Sequence, residues 1–298
     1  MELHQLRYFL AVARSGSFTR GAAQVRVAQP SLSQQILKLE DELGARLFDR
    51  LGREARLTSF GRAFLPRAEA ILRDVGDAIV EIREMAGDER GRVVLGVIPT
   101  IAPYCLPEWL ATFARRHSEV SVSVLEETTP LLLDRLRNGT ADAALLALPV
   151  PGREFATTEL FREQFYAAVA VEHPLASLRA ISLRQLEGEP FLLLKEDHCF
   201  REHALAACRR SRLHPRVVFE SGQFSSVLAM VAAKAGVSLV PRMAAEKRSG
   251  VRFVPVEDAA AFRRIGIARL RRHYPSRAQC LLLDHLAASA LPLAQPGL

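Results

Sequence analysis

The chain has 298 residues, about half of them hydrophobic, with a formal net charge of +7 and an isoelectric point near 9.7. That is enough apolar material for two domains, but no apolar run is long enough to span a bilayer and no charged-then-apolar leader opens the chain, so a cytoplasmic protein without a membrane partner is expected. Four cysteines without a CxxC pair or a Cys/His cluster exclude a disulfide scaffold and a zinc centre, no cofactor is implied, and the basic balance weakly favours a polyanionic partner.

Leu3, Leu6, Phe9, Leu10, Val12 and Ala13 follow a helical period. Ser15-Gly16-Ser17 stops that helix, and Ser17 is the expected N-cap of a second one over residues 18–26. Pro30 suits the first turn of a third helix, which runs to Leu43 and ends at Gly44. The small residues Ala22 and Ala23 are placed at the helix crossing, giving a helix-turn-helix pattern. Residues 45–58 alternate apolar and basic side chains around Gly52, as a two-stranded wing would. A long helix over residues 59–86, capped by Thr58, carries the stripe Phe60, Phe64, Ala68, Ile71, Val75, Ile79 and Ile82. Pairing between subunits is favoured for that stripe over packing on its own domain, and Pro66 is expected to perturb the helix locally. The charged segment 87–91 reads as a hinge.

From residue 92 strands and helices alternate. Strands are expected at 92–99, 120–127, 141–148, 217–221, 237–241 and 262–270, and helices at 106–117, 131–139 and 226–236. This is an α/β pattern with mostly parallel sheets, folded into two lobes around a cleft. The division is 1–58 for a DNA-binding domain, 59–90 for a dimerisation helix and hinge, and 91–298 for a regulatory domain. Its first lobe covers about 91–162 and 268–298, and its second about 163–267. The tail 291–298 is expected to be disordered.

A major-groove reader needs short polar side chains early on a protruding helix and cations for flanking phosphates. Gln29, Pro30, Ser31, Ser33 and Gln34 open the third helix, with Gln35 and Lys38 further along. Gln29 and Gln34 can make paired bonds to a base edge, and Arg50, Arg53 and Arg56 of the wing can track the backbone. Read as residues alone, the same side chains could simply solvate a surface helix. The motifs F-x-A-V-A, G-S-F, Q-P-S-L-S-x-Q-I and L-E-x-x-L-G-x-x-L-F-x-R, followed by Leu57-Thr58 and Gly61, carry the argument further. Residues 3–58 resemble the N-terminal domain of the LysR-type transcriptional regulators. The resemblance extends over the chain. It implies a winged helix-turn-helix, a homodimer through the linker helix, tetramers on spaced DNA half-sites, a two-lobed periplasmic-binding-protein-like effector domain, and RNA polymerase as a partner.

Cys199 and Cys208 bracket a segment with good helix formers. If that segment is helical, the sulfurs are separated by ~13 Å of rise and lie on opposite faces. A disulfide needs Cα atoms within about 7 Å, so the pair could close only by melting the helix. Cys199 at a helix N-terminus beside His198 and Arg201 has surroundings that lower a thiol pKa. Spacing alone also allows two ordinary small core residues. The stretches V-I-P-T-I-A-P-Y-C-L-P (97–107), D-H-C-F-R-E-H-A-L-A-A-C (197–208) and M-V-A-A-x-x-G-V-S-L-V-P (from Met230) resemble the hydrogen-peroxide-sensing members of the LysR family. That resemblance implies a peroxidatic Cys199 and a resolving Cys208. It also implies an effector pocket formed by Thr100, Thr129, His198 and Arg201, with Arg263 and Arg264 nearby. Those members commonly carry glycine where this chain has Asp197, a carboxylate that argues for lower sensitivity. Cys105 and Cys280 are expected to be structural.

Three other readings remain open on the sequence. A regulator of the same architecture could bind a small metabolite in the interlobe cleft. A thiol peroxidase could use Cys199 and His198 but would need no reader helix, so an enzyme is not expected. A periplasmic solute-binding protein would share the two lobes but should carry a leader.

Overall fold

The computed structural model describes residues 1–51, 54–85, 91–196 and 198–294, and the chain divides into two compact units, Met1–Asp88 and Glu89–Leu298. In the first unit α1 (Leu3–Ser15), α2 (Phe18–Gln24) and α3 (Gln29–Leu43) are followed by strands β1 (Phe48–Leu51) and β2 (Glu54–Leu57) and the long helix α4 (Ser59–Met85). Gly16 and Gly44 close α1 and α3 with left-handed backbone, which glycine adopts without steric cost. Ser17 stands at the N-cap of α2 but its side chain makes no capping bond. The close crossing of α1 and α2 falls on Gly21 and Ala22, whereas Ala23 is exposed. A Cβ on Gly21 would stand 2.9 Å from a Val12 methyl, so only glycine fits there.

The wing pairs antiparallel, Phe48 with Leu57 through Leu51 with Glu54. Glu40 on α3 fixes its start. Its buried carboxylate accepts the backbone N–H groups of Leu47 and Phe48 at 2.7 and 3.1 Å. Substituting Glu40→Ala leaves both donors without an acceptor, so the first unit should lose about 2–4 kcal/mol, read by chemical denaturation followed by circular dichroism. A loss below about 1 kcal/mol would show that water replaces the carboxylate.

Thr58 caps α4 as expected, accepting the Gly61 N–H at 3.0 Å while donating to the Arg46 carbonyl at 2.6 Å. The helix runs unbroken through Pro66, which is exposed. Its apolar stripe divides. Phe64, Ala68 and Ile71 pack on the core of their own unit around Phe9, Leu32, Ile36 and Phe48. Phe60, Ile79 and Ile82 are exposed, at 62%, 49% and 67%. Packing within the unit therefore claims the near part of the stripe, and only the exposed residues are left to pair with another subunit. The expected hinge lies almost wholly in 86–90, outside the described residues.

The second unit contains β3 (Gly91–Val97), α5 (Ala102–Arg116), β4 (Val120–Glu126), α6 (Thr129–Arg137), β5 (Ala143–Leu148) and the long β6 (Phe155–Ala170). After these come β7 (Pro190–Leu194), α7 (Cys199–Arg210), β8 (Arg216–Ser221), α8 (Phe224–Ala232), β9 (Ser238–Pro241), β10 (Val251–Pro255), β11 (Phe262–Leu270) and α9 (Arg277–Ala294). The expectation of mostly parallel sheets is corrected. In the seven-stranded sheet β10-β6-β11-β5-β3-β4, with β9 on β6, only β3–β4 and β3–β5 are parallel. β7 and β8 form a separate parallel pair. The long β6 and β11 cross between two apolar cores. One core holds Val93–Phe161 residues with Ile265, Ile267 and α9, and the other lies between Phe165 and Ala261. The C-terminal tail is helical through Ala294, which corrects the expectation of disorder there; 295–298 lie outside the described residues.

Candidate functional site

The reader face is built by α3. Leu32, Ile36, Leu39 and Glu40 point into the core, so Gln29, Pro30, Ser31, Gln34 and Lys38 are exposed and Ser33 is partly so. Gln35 is taken out of the reader. Its Oε1 accepts Gln5 Nε2 at 3.2 Å and lies 3.2 Å from His4 Nε2, which ties α3 to α1. In the wing Arg56 is exposed and pairs with Glu54 at 3.1 Å. Arg50 lies on β1; Arg53 lies outside the described residues.

In the second unit the segments opening three helices converge. Ile98, Pro99 and Thr100 precede α5, Thr128 and Thr129 open α6, and His198 and Cys199 open α7. Together they line a pocket with about 170 Å³ of empty space, part of it open to solvent. Cys199 is the first residue of α7 and is half-buried. Burial pushes that thiol's pKa up, against the Arg263 charge and the neighbouring Thr129 hydroxyl, which pull it down. The expectation of a lowered pKa beside His198 and Arg201 is thus corrected, because desolvation of a thiolate outweighs the neighbouring cation. The rate of Cys199 alkylation by iodoacetamide should keep rising with pH beyond the point where a free cysteine's rate levels off. A plateau at or below that point would show that the local field, not burial, dominates.

Two arginines expected at the pocket turn away from it. Arg201 pairs with Glu220 and reaches toward Glu196. Arg264 pairs with Glu159 at 3.3 Å, because neighbours on a strand face opposite ways and Arg263 takes the inward position. Arg263 is fully buried. It donates to Glu163 at 2.7 Å and to the Thr100 hydroxyl and carbonyl at 2.7 and 3.0 Å, while its guanidinium lies 5.3 Å from the Phe200 ring centre. The other oxygen of Glu163 accepts the Met243 N–H at 2.7 Å. Glu163 and His203 were not anticipated from sequence. His203 stands one turn after Cys199, its Nδ1 has no hydrogen-bond partner among the described residues, and burial holds its pKa below the ordinary histidine value. The i, i+4 spacing from Cys199 was the available signal for His203. Asp197 lies outside the described residues.

Cys199 packs against the first core and Cys208 is buried in the second, its thiol pushed up to about 11 by burial. Both thiols are free and the intact α7 lies between them. Beyond Cys208 the end of α7 is anchored: Ser211 Oγ donates to Asp258 at 2.5 Å, and the other Asp258 oxygen accepts the Leu183 N–H at 2.6 Å. Cys105 is buried with its pKa raised to about 12, whereas Cys280, expected to be buried, is exposed.

A winged helix-turn-helix followed by a two-lobed α/β domain defines a ligand- or signal-responsive DNA-binding regulator. Residues 3–62 match the bacterial regulatory helix-turn-helix protein, lysR family, and residues 86–290 match the LysR substrate binding domain. The chain belongs to the LysR family of transcriptional regulators. It is 31% identical over 290 residues to the DNA-binding transcriptional dual regulator OxyR of Escherichia coli K12, covering 94% of this chain and 95% of that protein. Among solved structures it is similar to a full-length OxyR point variant of Pseudomonas aeruginosa, with a TM-score of 0.78 and 31% identity, covering 96% of this chain and 98% of that one. It is also similar to a hydrogen-peroxide-bound OxyR variant of Corynebacterium glutamicum, with a TM-score of 0.64 and 29% identity, covering 98% and 93%. Among the described residues no helix is long and apolar enough to cross a membrane.

Proposed function

We propose that this DNA-binding regulator senses hydrogen peroxide through Cys199 and records it as a reversible Cys199–Cys208 disulfide. The observation that carries the reading is the small pocket at the first turn of α7, where Thr100, Thr129 and His198 line the same space as one thiol. Hydroxyl and imidazole groups beside a thiol suit a small oxygen substrate. The Cys199 sulfur attacks one peroxide oxygen, the O–O bond breaks, and the departing hydroxide takes up the thiol proton as water. The Cys208 sulfur then attacks the sulfenic sulfur, the S–O bond breaks, and the departing hydroxide takes up the Cys208 thiol proton as a second water. Because α7 must open for this second step, the covalent event selects a different local fold.

Thiol alkylation with mass mapping, before and after near-stoichiometric peroxide, tests the reading. Loss of free Cys199 and Cys208 together, with Cys105 unchanged, is the expected result. Unmodified Cys199 and Cys208 in a protein that still binds DNA would sink it and favour a metabolite effector.

For the reader, Gln29, Pro30, Ser31, Ser33, Gln34 and Lys38 would face the DNA, with Arg50, Arg53 and Arg56 toward its backbone. Substituting Gln29→Ala should lose about 1–3 kcal/mol of sequence discrimination per base contact, measured by competition between matched and mutated duplexes. An equal loss on all sequences would assign Gln29 to phosphate. Tetramer formation and contact with RNA polymerase belong to the same reading.

A further inference from the structure

The solvent face of α3 carries two kinds of column. Gln34 and Lys38 stand one turn apart and Asp41 follows, giving a polar column suited to hydrogen bonding. Beside it Pro30, Ser33 and Leu37 lie at i, i+3 and i+7, an apolar column broken by one hydroxyl. Leu37 is 39% exposed, although Leu32, Ile36 and Leu39 on the same helix are fully buried. It therefore contributes little to the core, and a polar residue would serve the fold equally well. A single leucine between Ser33, Gln34 and Lys38 is also too small a patch for a protein partner.

We infer that Leu37 is a specificity-determining residue that packs against a thymine methyl in the major groove. The inference rests on α3 being the reader helix. Among the four bases only thymine presents an apolar group in that groove, and aliphatic side chains recognise it by contact rather than by hydrogen bonding. The neighbouring Gln34 and Lys38 supply the donors and acceptors that would hold the helix at base-edge depth.

The test uses the full-length protein and a duplex that it selects from a random-sequence pool. Each thymine of that duplex is replaced in turn by deoxyuridine, which removes the methyl and leaves the pairing edge unchanged. At one or two positions the replacement should weaken binding by about fourfold, the effect of one methyl buried. Leu37→Ala, whose exposed position should leave the thermal midpoint unchanged, should bind the thymine and deoxyuridine duplexes equally at those positions. Leu37→Arg should shift preference there from thymine to guanine. Equal deoxyuridine sensitivity in the wild type and Leu37→Ala, or no sensitive position at all, overturns the inference while leaving the reader helix in place. Failure to select any sequence overturns the reader assignment and the inference together.

Discussion

Substituting Arg263→Met should cost the second unit about 3–5 kcal/mol, the largest stability loss expected from any single change in it. The methionine fills much of the same volume, so the loss is electrostatic. Glu163 would remain almost fully buried with one carboxylate oxygen unpaired, and Thr100 would lose both bonds that hold it at the pocket. Chemical denaturation of the full chain gives the measurement, with the transition of the first unit as an internal reference. The double substitution Arg263→Met with Glu163→Leu removes the stranded charge and should recover much of the loss, since replacing both members of a buried pair is often nearly neutral. A single-mutant loss below about 1 kcal/mol would mean that Glu163 finds other donors or takes up a proton.

The second large effect is chemical. Cys199→Ser should abolish peroxide oxidation of the pair, because serine has no sulfur to attack the O–O bond. Cys208→Ser should stop the reaction one step later, leaving a sulfenic acid on Cys199 that dimedone traps and mass spectrometry locates. The two variants therefore divide attack from resolution. Dimedone labelling at Cys208 in the Cys199→Ser protein would reverse the assigned roles, although the burial of Cys208 in the second core argues against it. Both variants should fold, because each replaces sulfur by a side chain of similar shape.

Local periodicity made much of this molecule readable. The helices of the first unit, the wing and the cap at Thr58 follow from apolar spacing and turn residues within a few positions of one another. What stayed hidden depends on distant pairing. Phe155–Ala170 alternates buried and exposed residues over 161–165, but which strands it joins is fixed by β11 and β10, about a hundred residues away. Those antiparallel partners are why a pattern suggesting parallel sheets proved mixed. The site divides in the same way. Cys199 at the start of α7 was legible from the helix formers that follow it. That Arg263 faces inward while Arg264 and Arg201 face outward was not, because it depends on strand register and on Glu159 and Glu220 being there to meet them. The raised thiol pKa was missed for a related reason: sequence shows neighbouring charges, but only packing shows how much water is excluded.

Helix α7 joins the two cores, with Cys199 against one, Cys208 inside the other and Ser211 tied to Asp258 beyond it. Under the proposed chemistry this makes the regulator a timer as well as a detector. Opening the helix slows disulfide formation, so brief traces of oxidant that convert few Cys199 thiols leave α7 closed and unmarked. Once the bond has formed, the helix cannot rewind while it persists. The signal therefore lasts as long as the disulfide survives the cell's reductants, not as long as the peroxide that wrote it.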